Sequence, residues 1–280
     1  MNTCLIPRNL EELGEALGQL TGKSLILAGG TDLVLQMRAK HLEPDVLLSL
    51  SDVSALRDII ITPERAVIGA MATMARVKEA TDGLSDLQAL ADAAGGVGSP
   101  QIRNKGTIGG NVANASPAAD LPSVLWLLNA QVDILCPGGL RRVLPIQQFF
   151  QGKDGRKTQL ELGEVIVSFT IDRTALQGWR SAFHKLGHRS QVTISRIGMA
   201  IALRLNSEGI IEDARVVAGA IKPIPFQLPA AEDILRGKRP EPTPGLCIAL
   251  GETFKGNTRR VYKENAAKGV FEDTLKLFAR

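Results

Sequence analysis

The sequence lacks several features, each of which would by itself indicate a particular class of protein. Its three cysteines, Cys4, Cys136 and Cys247, lie far apart, which argues against a disulfide framework and against a cysteine-ligated iron–sulfur site. No apolar run approaches the roughly 18 residues of a membrane span. No basic N-terminal segment precedes the short apolar core of a signal peptide. These absences predict a cytoplasmic protein without a membrane span.

The sequence also lacks a block of charge of one sign. Its 33 Lys and Arg residues nearly balance 29 Asp and Glu residues, and both are spread along the 280 residues. A protein that tracks a nucleic-acid backbone normally clusters its cations, so nucleic-acid binding is not expected. The small positive excess suits an anionic cofactor, and an apolar content of 44% is enough for two or three domain cores.

The most informative stretch is GTIGGNVANASPAAD, which runs from Gly106 to Asp120. It is dense in glycine and small polar residues and contains no aromatic or basic residue. Because glycine has no Cβ, Gly106, Gly109 and Gly110 are expected to adopt positive φ and to expose their backbone N–H groups. The predicted ligand is a phosphate or diphosphate. The alternative is a glycine-rich surface loop.

A second glycine turn, Ala28 to Asp32, follows a short apolar strand predicted at Ser24–Leu27. Leu33, Val34 and Met37 mark the predicted apolar face of the helix after it. A strand, a glycine turn and a helix form an arrangement that can hold phosphate. The alternative is an ordinary turn with Thr31 or Asp32 as the N-cap.

Other nucleotide motifs are absent. Gly22-Lys23-Ser24 has the end of a P-loop, but the glycine that a P-loop requires upstream is replaced by Leu17, and no G-x-G-x-x-G follows a strand. Phosphate binding therefore depends on the two glycine turns.

The remaining pattern predicts an α+β protein. The N-terminal part mixes short helices and strands, and it ends at a polar linker near residues 172–177. Longer alternating strands and two helices follow, which favours helices on one face of an antiparallel sheet. In the N-terminal part, the predicted elements are a helix at Leu10–Leu20 capped by Asn9, strands at Asp45–Leu50 and Gly163–Ile171, hairpins around Pro63 and around Pro137–Gly139, and two helices in Thr73–Val97 separated by Gly83. In the C-terminal part, they are strands at Ser181–Leu186, Gly198–Leu205 and Ile210–Ala218, and helices at Ala230–Arg236 and Lys263–Phe278.

The histidines do not form a metal site in the sequence pattern. His184 and His188 lack a third ligand nearby, and His41 is remote. The neighbouring cations Lys185, Arg189 and Arg196 are expected to form a solvated face.

Three segments resemble the FAD-binding subunits of molybdenum hydroxylases, a family that includes xanthine, carbon monoxide and nicotinate dehydrogenases. They are ILAGGTDLVLQM at Ile26–Met37, VGSPQIRNKGTIGGNVANASPAADLP at Val97–Pro122 and AFHKLGHRSQVTIS at Ala182–Ser195. The resemblance extends over essentially the whole chain. Its two glycine motifs, at this separation, are far more specific together than either is alone.

The resemblance implies a fold and a cofactor. The fold would be an FAD-binding domain of the p-cresol methylhydroxylase type with two α+β subdomains (residues 1–172) and a smaller C-terminal α+β domain of the carbon monoxide dehydrogenase flavoprotein type (residues 173–280). FAD would lie extended between the subdomains, with its diphosphate against Gly29, Gly30, Gly109 and Gly110. The residues implied to contact FAD are Ile26, Leu27, Ala28, Gly29, Gly30, Thr31, Asp32, Leu33, Val97, Thr107, Ile108, Gly109, Gly110, Asn111, Ser116, Asp120, Ile166 and Lys185.

The resemblance also implies an oxidoreductase subunit of a xanthine dehydrogenase-like complex. An iron–sulfur subunit, itself supplied by a molybdopterin-binding subunit, would deliver electrons to FAD, and NAD+ or another acceptor would receive them. Iron–sulfur clusters and molybdopterin are expected only on those partners, and no catalytic acid, base or metal ligand is expected in this chain. Two alternatives remain open: a flavin-free assembly or docking module of the same fold, and a self-sufficient flavin oxidoreductase.

Overall fold

Helices and strands are interspersed along the chain, and the sheets are both parallel and antiparallel. The structure is a computed structural model that describes residues 3–152, 154–189, 192–258 and 260–279. Ser190 and Gln191, which belong to the third segment quoted above, lie outside the described residues.

Twelve β-strands occur within the described ranges. In chain order they are β1 (Thr3–Leu5), β2 (Leu25–Leu27), β3 (Val46–Ser49), β4 (Ile59–Ile61), β5 (Arg65–Gly69), β6 (Gln131–Leu135), β7 (Arg141–Pro145), β8 (Val165–Asp172), β9 (Trp179–Leu186), β10 (Ile197–Leu205), β11 (Ile211–Gly219) and β12 (Phe226–Gln227).

Eleven α-helices occur in the same ranges. They are α1 (Leu10–Leu17), α2 (Leu33–Lys40), α3 (Met74–Thr81), α4 (Gln88–Gly96), α5 (Pro100–Arg103), α6 (Ile108–Asn114), α7 (Leu121–Leu127), α8 (Ile146–Phe149), α9 (Pro229–Leu235), α10 (Pro244–Glu252) and α11 (Val261–Lys276). No helix within the described part of the chain has both the length and the apolar character that crossing a membrane requires.

The chain divides into two units, each built from separated stretches of sequence. Unit 1 contains Met1–Val77, Ser99–Ala115 and Ala130–Asp172, and unit 2 contains Lys78–Gly98, Ser116–Asn129 and Arg173–Arg280. Two segments of unit 2, Lys78–Gly98 and Ser116–Asn129, precede residue 173 in the chain. The division into domains at residues 172 and 173 stays a prediction.

Unit 1 holds two sheets. The parallel sheet has the strand order β1-β3-β2, and the antiparallel sheet has the order β4-β5-β8-β6-β7. One core cluster joins helix α1 to both sheets through buried side chains such as Leu13, Leu48 and Val167. The predicted hairpins are confirmed, because β4 pairs with β5 and β6 pairs with β7, both antiparallel.

Unit 2 is organised around an antiparallel sheet of order β12-β11-β10-β9. Alternate residues of β10, including Met199 and Ile201, are fully buried and pack in one core cluster with Leu250 of α10 and Phe271 of α11. The α+β character of the C-terminal region is therefore confirmed. Helix α10 was not predicted, because Pro244 and Gly245 resemble a break in the pattern.

The first two helices near the N-terminus can be compared with their predictions. Asn9 caps α1 by accepting a hydrogen bond from the Glu12 N–H at 2.8 Å, as predicted. Helix α2 forms where it was expected, and none of its residues is buried, including Leu33, Val34 and Met37 of the predicted apolar face. Leu35 of this helix is 62% exposed.

Candidate cofactor-binding site

The first glycine turn connects β2 to α2 in unit 1. Gly30 has φ of 72°, a left-handed conformation that disfavours any residue with a Cβ. Asp32 occupies the N-cap position without capping the helix, and its Oδ2 accepts a hydrogen bond from Gln36 Nε2 at 2.6 Å instead. The turn therefore leaves the start of α2 without a side-chain cap.

The backbone donors of this turn are unused. Within the residues that the structure describes, the N–H groups of Gly29, Gly30, Thr31 and Asp32 donate no hydrogen bond, whereas the Val34 N–H bonds to the Gly30 carbonyl at 3.3 Å. Consecutive unpaired N–H groups at the beginning of a helix carry partial positive charge and bind phosphate groups. This turn has the chemistry predicted for a diphosphate site.

The second glycine motif has a different backbone from the one predicted. Gly109 and Gly110 lie in helix α6, and neither they nor Gly106 has positive φ. Their N–H groups are all paired, with the Gly106 N–H donating to the Ile102 carbonyl at 2.6 Å and the Gly109 N–H to the Ala70 carbonyl at 2.8 Å. The prediction that these glycines expose backbone donors was wrong.

These glycines are instead needed for close packing. A Cβ on Gly109 would lie 2.6 Å from Ala70 Cβ and 2.7 Å from the Ala70 carbonyl oxygen. A Cβ on Gly29 would lie 1.9 Å from the Lys105 carbonyl oxygen, where no side chain can be accommodated. The Gly29 contact brings the first turn directly against the chain that leads into the second motif.

Helix α6 begins beside this contact. Thr107 Oγ1 accepts a hydrogen bond from the Gly110 N–H at 3.1 Å and so caps the helix. A Cβ on Gly110 would lie 2.9 Å from that oxygen and 3.7 Å from Ala28 Cβ. The structure thus joins the residues predicted at Ile26–Leu33 and at Thr107–Asn111 into one cluster within unit 1.

One polar atom in the cluster has no protein partner. Asn111 Oδ1 is buried, and it is the one buried side-chain oxygen or nitrogen without a hydrogen bond among the described residues. Such a group costs stability unless a ligand or water supplies a donor. Asn111 follows Gly110 on α6, so this unpaired acceptor belongs to the same cluster.

A second cluster lies within unit 2 and contains a buried ion pair. Lys185 Nζ is 2.6 Å from Asp120 Oδ2, and the two side chains are 13% and 5% exposed. Ser195 Oγ donates to Asp120 Oδ1, and Lys185 Nζ also donates to the Thr193 carbonyl at 3.2 Å. The prediction that Lys185 belongs to a solvated face was therefore wrong.

Burial and charge act in opposite directions on Asp120. Burial raises the pKa of the Asp120 carboxyl, and Lys185 and Ser195 offset part of that rise by stabilising the carboxylate. Sequence reasoning missed Thr193 and Ser195 as members of this cluster. Both lie in the third segment that resembles the family. The hydrogen bond from Ser195 to Asp120 joins residues 75 positions apart, so no local sequence pattern predicts it.

The other predicted contacts are distributed over the two units. Val97 and Ser116 belong to unit 2 and are partly buried. Ile166 belongs to β8 of unit 1 and is only 2% exposed. The roles of these three residues stay predictions.

Two family models match the chain. The model of the FAD binding domain in molybdopterin dehydrogenase matches residues 1–173, and that of the CO dehydrogenase flavoprotein C-terminal domain matches residues 181–252. The nicotinate dehydrogenase FAD-subunit of Eubacterium barkeri is 33% identical over 280 residues, covering 97% of this chain and 93% of that protein. The xanthine dehydrogenase FAD-binding subunit of Escherichia coli O157:H7 is 31% identical, covering 74% of this chain and 70% of that one.

A solved structure extends the similarity to the whole fold. A chain of carbon monoxide dehydrogenase from Hydrogenophaga pseudoflava superimposes with a TM-score of 0.83 at 28% identity. The match covers 98% of this chain and 96% of that one.

The residues of unit 1 fit FAD. Four unpaired N–H groups at the start of α2 suit a diphosphate, and the missing Cβ of Gly29 lets this turn pack against the chain that leads into the second motif. The unpartnered Asn111 Oδ1 suits a hydroxyl or N–H donor, both of which FAD carries. The cluster therefore offers donors for the anionic part of the cofactor and an acceptor for its polar groups.

Proposed function

Because this chain belongs to the family of FAD-binding subunits of molybdopterin dehydrogenases, we propose that it carries electrons from an iron–sulfur subunit to NAD+ or another acceptor. The molybdopterin-binding subunit would oxidise the organic substrate and supply the iron–sulfur subunit. NAD+ or another acceptor would take the electrons from this chain. The single observation that carries the proposal is the unpaired N–H turn Gly29–Asp32 against the second glycine motif, which suits FAD.

When bound, FAD supplies the redox chemistry, and the protein supplies binding and electrostatics. The Gly29–Asp32 N–H groups would hold the diphosphate, with Gly110 allowing the start of α6 to lie close to Ala28 of the same turn. Asn111 Oδ1 would accept from a cofactor hydroxyl or N–H group. No residue of this chain has to act as an acid or a base in this scheme.

Unit 2 would contribute charged side chains to the surroundings of the cofactor. We propose that Lys185 and Asp120 contact the cofactor and set the charge around it, with Val97, Ser116 and Ile166 as further contacts. A lysine ammonium near a flavin favours the reduced, more negative form, and a carboxylate opposes it. Because Lys185 is held by Asp120, the net field depends on the pair rather than on either residue alone.

Purification of the native complex with cofactor analysis tests this function. The expected result is that this chain purifies with an iron–sulfur and a molybdopterin subunit and contains stoichiometric FAD. After anaerobic reduction with titanium(III) citrate and removal of the reductant, NAD+ or benzyl viologen should reoxidise the flavin. A complex that assembles without flavin would instead support a docking module. An isolated FAD-loaded chain that oxidises a small donor directly would support a self-sufficient oxidoreductase.

A further inference from the structure

Two separate segments of unit 2 present exposed apolar side chains beside cations. We call this the cation–apolar surface and define it by Ile194, Arg196, Arg260, Val261 and Tyr262. Ile194 is 75% exposed, Val261 68% and Tyr262 38%. Single exposed apolar residues are ordinary, but a cluster of them with cations is typical of a recognition surface.

An aromatic contact holds the two segments together. Arg196 Cζ lies 5.1 Å from the centroid of the Tyr262 ring, so the loop before β10 contacts the first turn of α11. Arg196 Nε also donates to His188 Nε2 at 2.8 Å. The guanidinium is therefore fixed in place, and residues of both segments belong to one surface.

The cations of this region form no ion pair with a carboxylate in the part of the chain that the structure describes. Within the described residues, neither Arg196 nor Arg260 forms an ion pair, and Lys263 beneath them donates to the Ala220 carbonyl at 2.6 Å. Glu264, the next acid in the sequence, accepts from the Gly256 N–H. Burial lowers the pKa of Lys263, and repulsion by Arg260 and Arg196 lowers it further. A facing surface with carboxylates would relieve this repulsion.

The same loop holds the buried ion pair of the cofactor cluster. Thr193 binds Lys185 through its carbonyl and Ser195 binds Asp120, so Ile194 stands between two residues that fix the pair. A partner that covers Ile194 would therefore lie beside residues proposed to contact FAD. Electron transfer to a flavin requires its protein donor to approach closely, whereas the molybdopterin-binding subunit, which supplies the iron–sulfur subunit, has no such requirement.

From this combination we infer that the cation–apolar surface docks a protein partner whose facing surface has carboxylates around an apolar centre. This rests on the proposed function, and within it the partner is the electron-donating iron–sulfur subunit. Arg and Tyr at the centre of an interface commonly contribute most of its binding energy, and opposite charge accelerates association.

The test compares two double variants with the same change in charge. Arg260→Glu with Val261→Asp alters the surface, and acids at the N-terminus of α11 suit the helix dipole, so folding is expected to be retained. Arg8→Glu with Leu140→Asp is the control, because both residues are exposed and belong to unit 1, where Leu140 is 72% exposed. Binding of each FAD-loaded chain to the purified iron–sulfur subunit is measured by biolayer interferometry.

The expected result is at least a tenfold weaker Kd for the surface variant and an unchanged Kd for the control. Added salt should weaken binding of the wild type more than that of the surface variant. An unchanged Kd for the surface variant overturns the inference, as does a defect confined to the molybdopterin subunit or to self-association. FAD content, measured on the same samples, separates the two proposals. Absence of FAD from the wild type contradicts the proposed function. Weaker binding of the surface variant with its FAD retained supports this surface as the docking site.

Discussion

Asn111 has a buried side-chain acceptor without a partner among the described residues, and we propose that it serves the cofactor. Its Oδ1 is buried on α6 without a partner, while the N–H groups of residues 108–111 are all paired. An unsatisfied buried acceptor costs about 1–3 kcal/mol in the protein without ligand. A cofactor donor that reaches it recovers that energy as affinity.

Asn111→Ala is therefore expected to affect stability and affinity in opposite directions. The apoprotein should be as stable as the wild type or more stable, because the unpaired oxygen is removed and alanine favours helix. Affinity for FAD should fall about tenfold, the loss of one hydrogen bond. Urea unfolding of the apoprotein and fluorescence titration with FAD measure the two effects.

The exposed Asn114 on the same helix is the matched control. Asn114→Ala should leave FAD affinity unchanged. A normal FAD affinity in Asn111→Ala, or an equal loss in both variants, would show that the Asn111 oxygen does not meet the cofactor.

Glu164 in unit 1 illustrates a charged residue that serves the fold. Burial opposes its ionisation, but hydrogen bonds from Arg142 at 2.6 and 2.8 Å, the Glu161 N–H and Cys136 more than offset it and keep the pKa of Glu164 below its ordinary value. Cys136 is affected in the opposite sense, because burial and Glu164 raise the pKa of its thiol.

The lowered pKa of Glu164 in the folded state determines the direction in which the free energy of unfolding changes with pH. The unfolded state then binds the proton more tightly, so the stabilisation by Glu164 is fully present above the ordinary carboxyl pKa and is lost as pH falls through the folded value. Glu164→Gln should reduce the loss of stability on acidification below about pH 4.5. Urea unfolding of both proteins from neutral to acidic pH measures it, and identical acid profiles would contradict the assignment.

At the scale of elements, the sequence predicted the position of the second glycine motif better than its conformation. A high density of glycine suggested positive φ and a loop, but Ile108–Asn114 is helical. Glycine is compatible with both outcomes, and the deciding interaction is the close approach of Ala70 to Gly109, which is distant in the sequence. Local composition therefore identified a tight packing site without its geometry.

The cap of α6 provides a prediction at this scale. Thr107 is 3% exposed and its hydroxyl accepts from the Gly110 N–H. Thr107→Val retains the shape but removes the acceptor, so unit 1 should lose about 1 kcal/mol of stability. The Gly110 amide should also exchange its hydrogen faster in the apoprotein.

Thr107→Ser retains the hydroxyl and serves as the comparison. Hydrogen exchange followed by NMR should show normal protection of Gly110 in Thr107→Ser and reduced protection in Thr107→Val. Equal protection in the two variants would mean that the Thr107 hydroxyl is not the cap.

Helix α2 shows the limit of periodicity as a guide to burial. Leu33, Val34 and Met37 predict an apolar face on this helix, yet none of them is buried within the chain. Periodicity reports that a face prefers to leave water, and it does not report which molecule covers that face.

At the scale of the whole molecule, the order of elements was largely predictable and their grouping was not. The alternating strands of β9–β11 and their turn were visible in the sequence, because each forms from residues that are neighbours in the chain. The assignment of Lys78–Gly98 and Ser116–Asn129 to unit 2 depends on contacts with residues that are far away in the sequence. Asp86, for example, accepts from Arg173 Nε at 2.7 Å.

The central claim is that the two glycine motifs hold FAD on this chain. The most direct measurement is the FAD content of the purified wild type, Gly110→Asp and the control Gly22→Asp, with folding checked by circular dichroism. A side chain at Gly110 would meet Thr107 and Ala28 and would place a negative charge beside the turn proposed to hold the diphosphate, whereas Gly22 has no atom within 4 Å of its Cβ position. We predict stoichiometric FAD in the wild type and in Gly22→Asp and none in a folded Gly110→Asp. Stoichiometric FAD retained by Gly110→Asp would contradict the account.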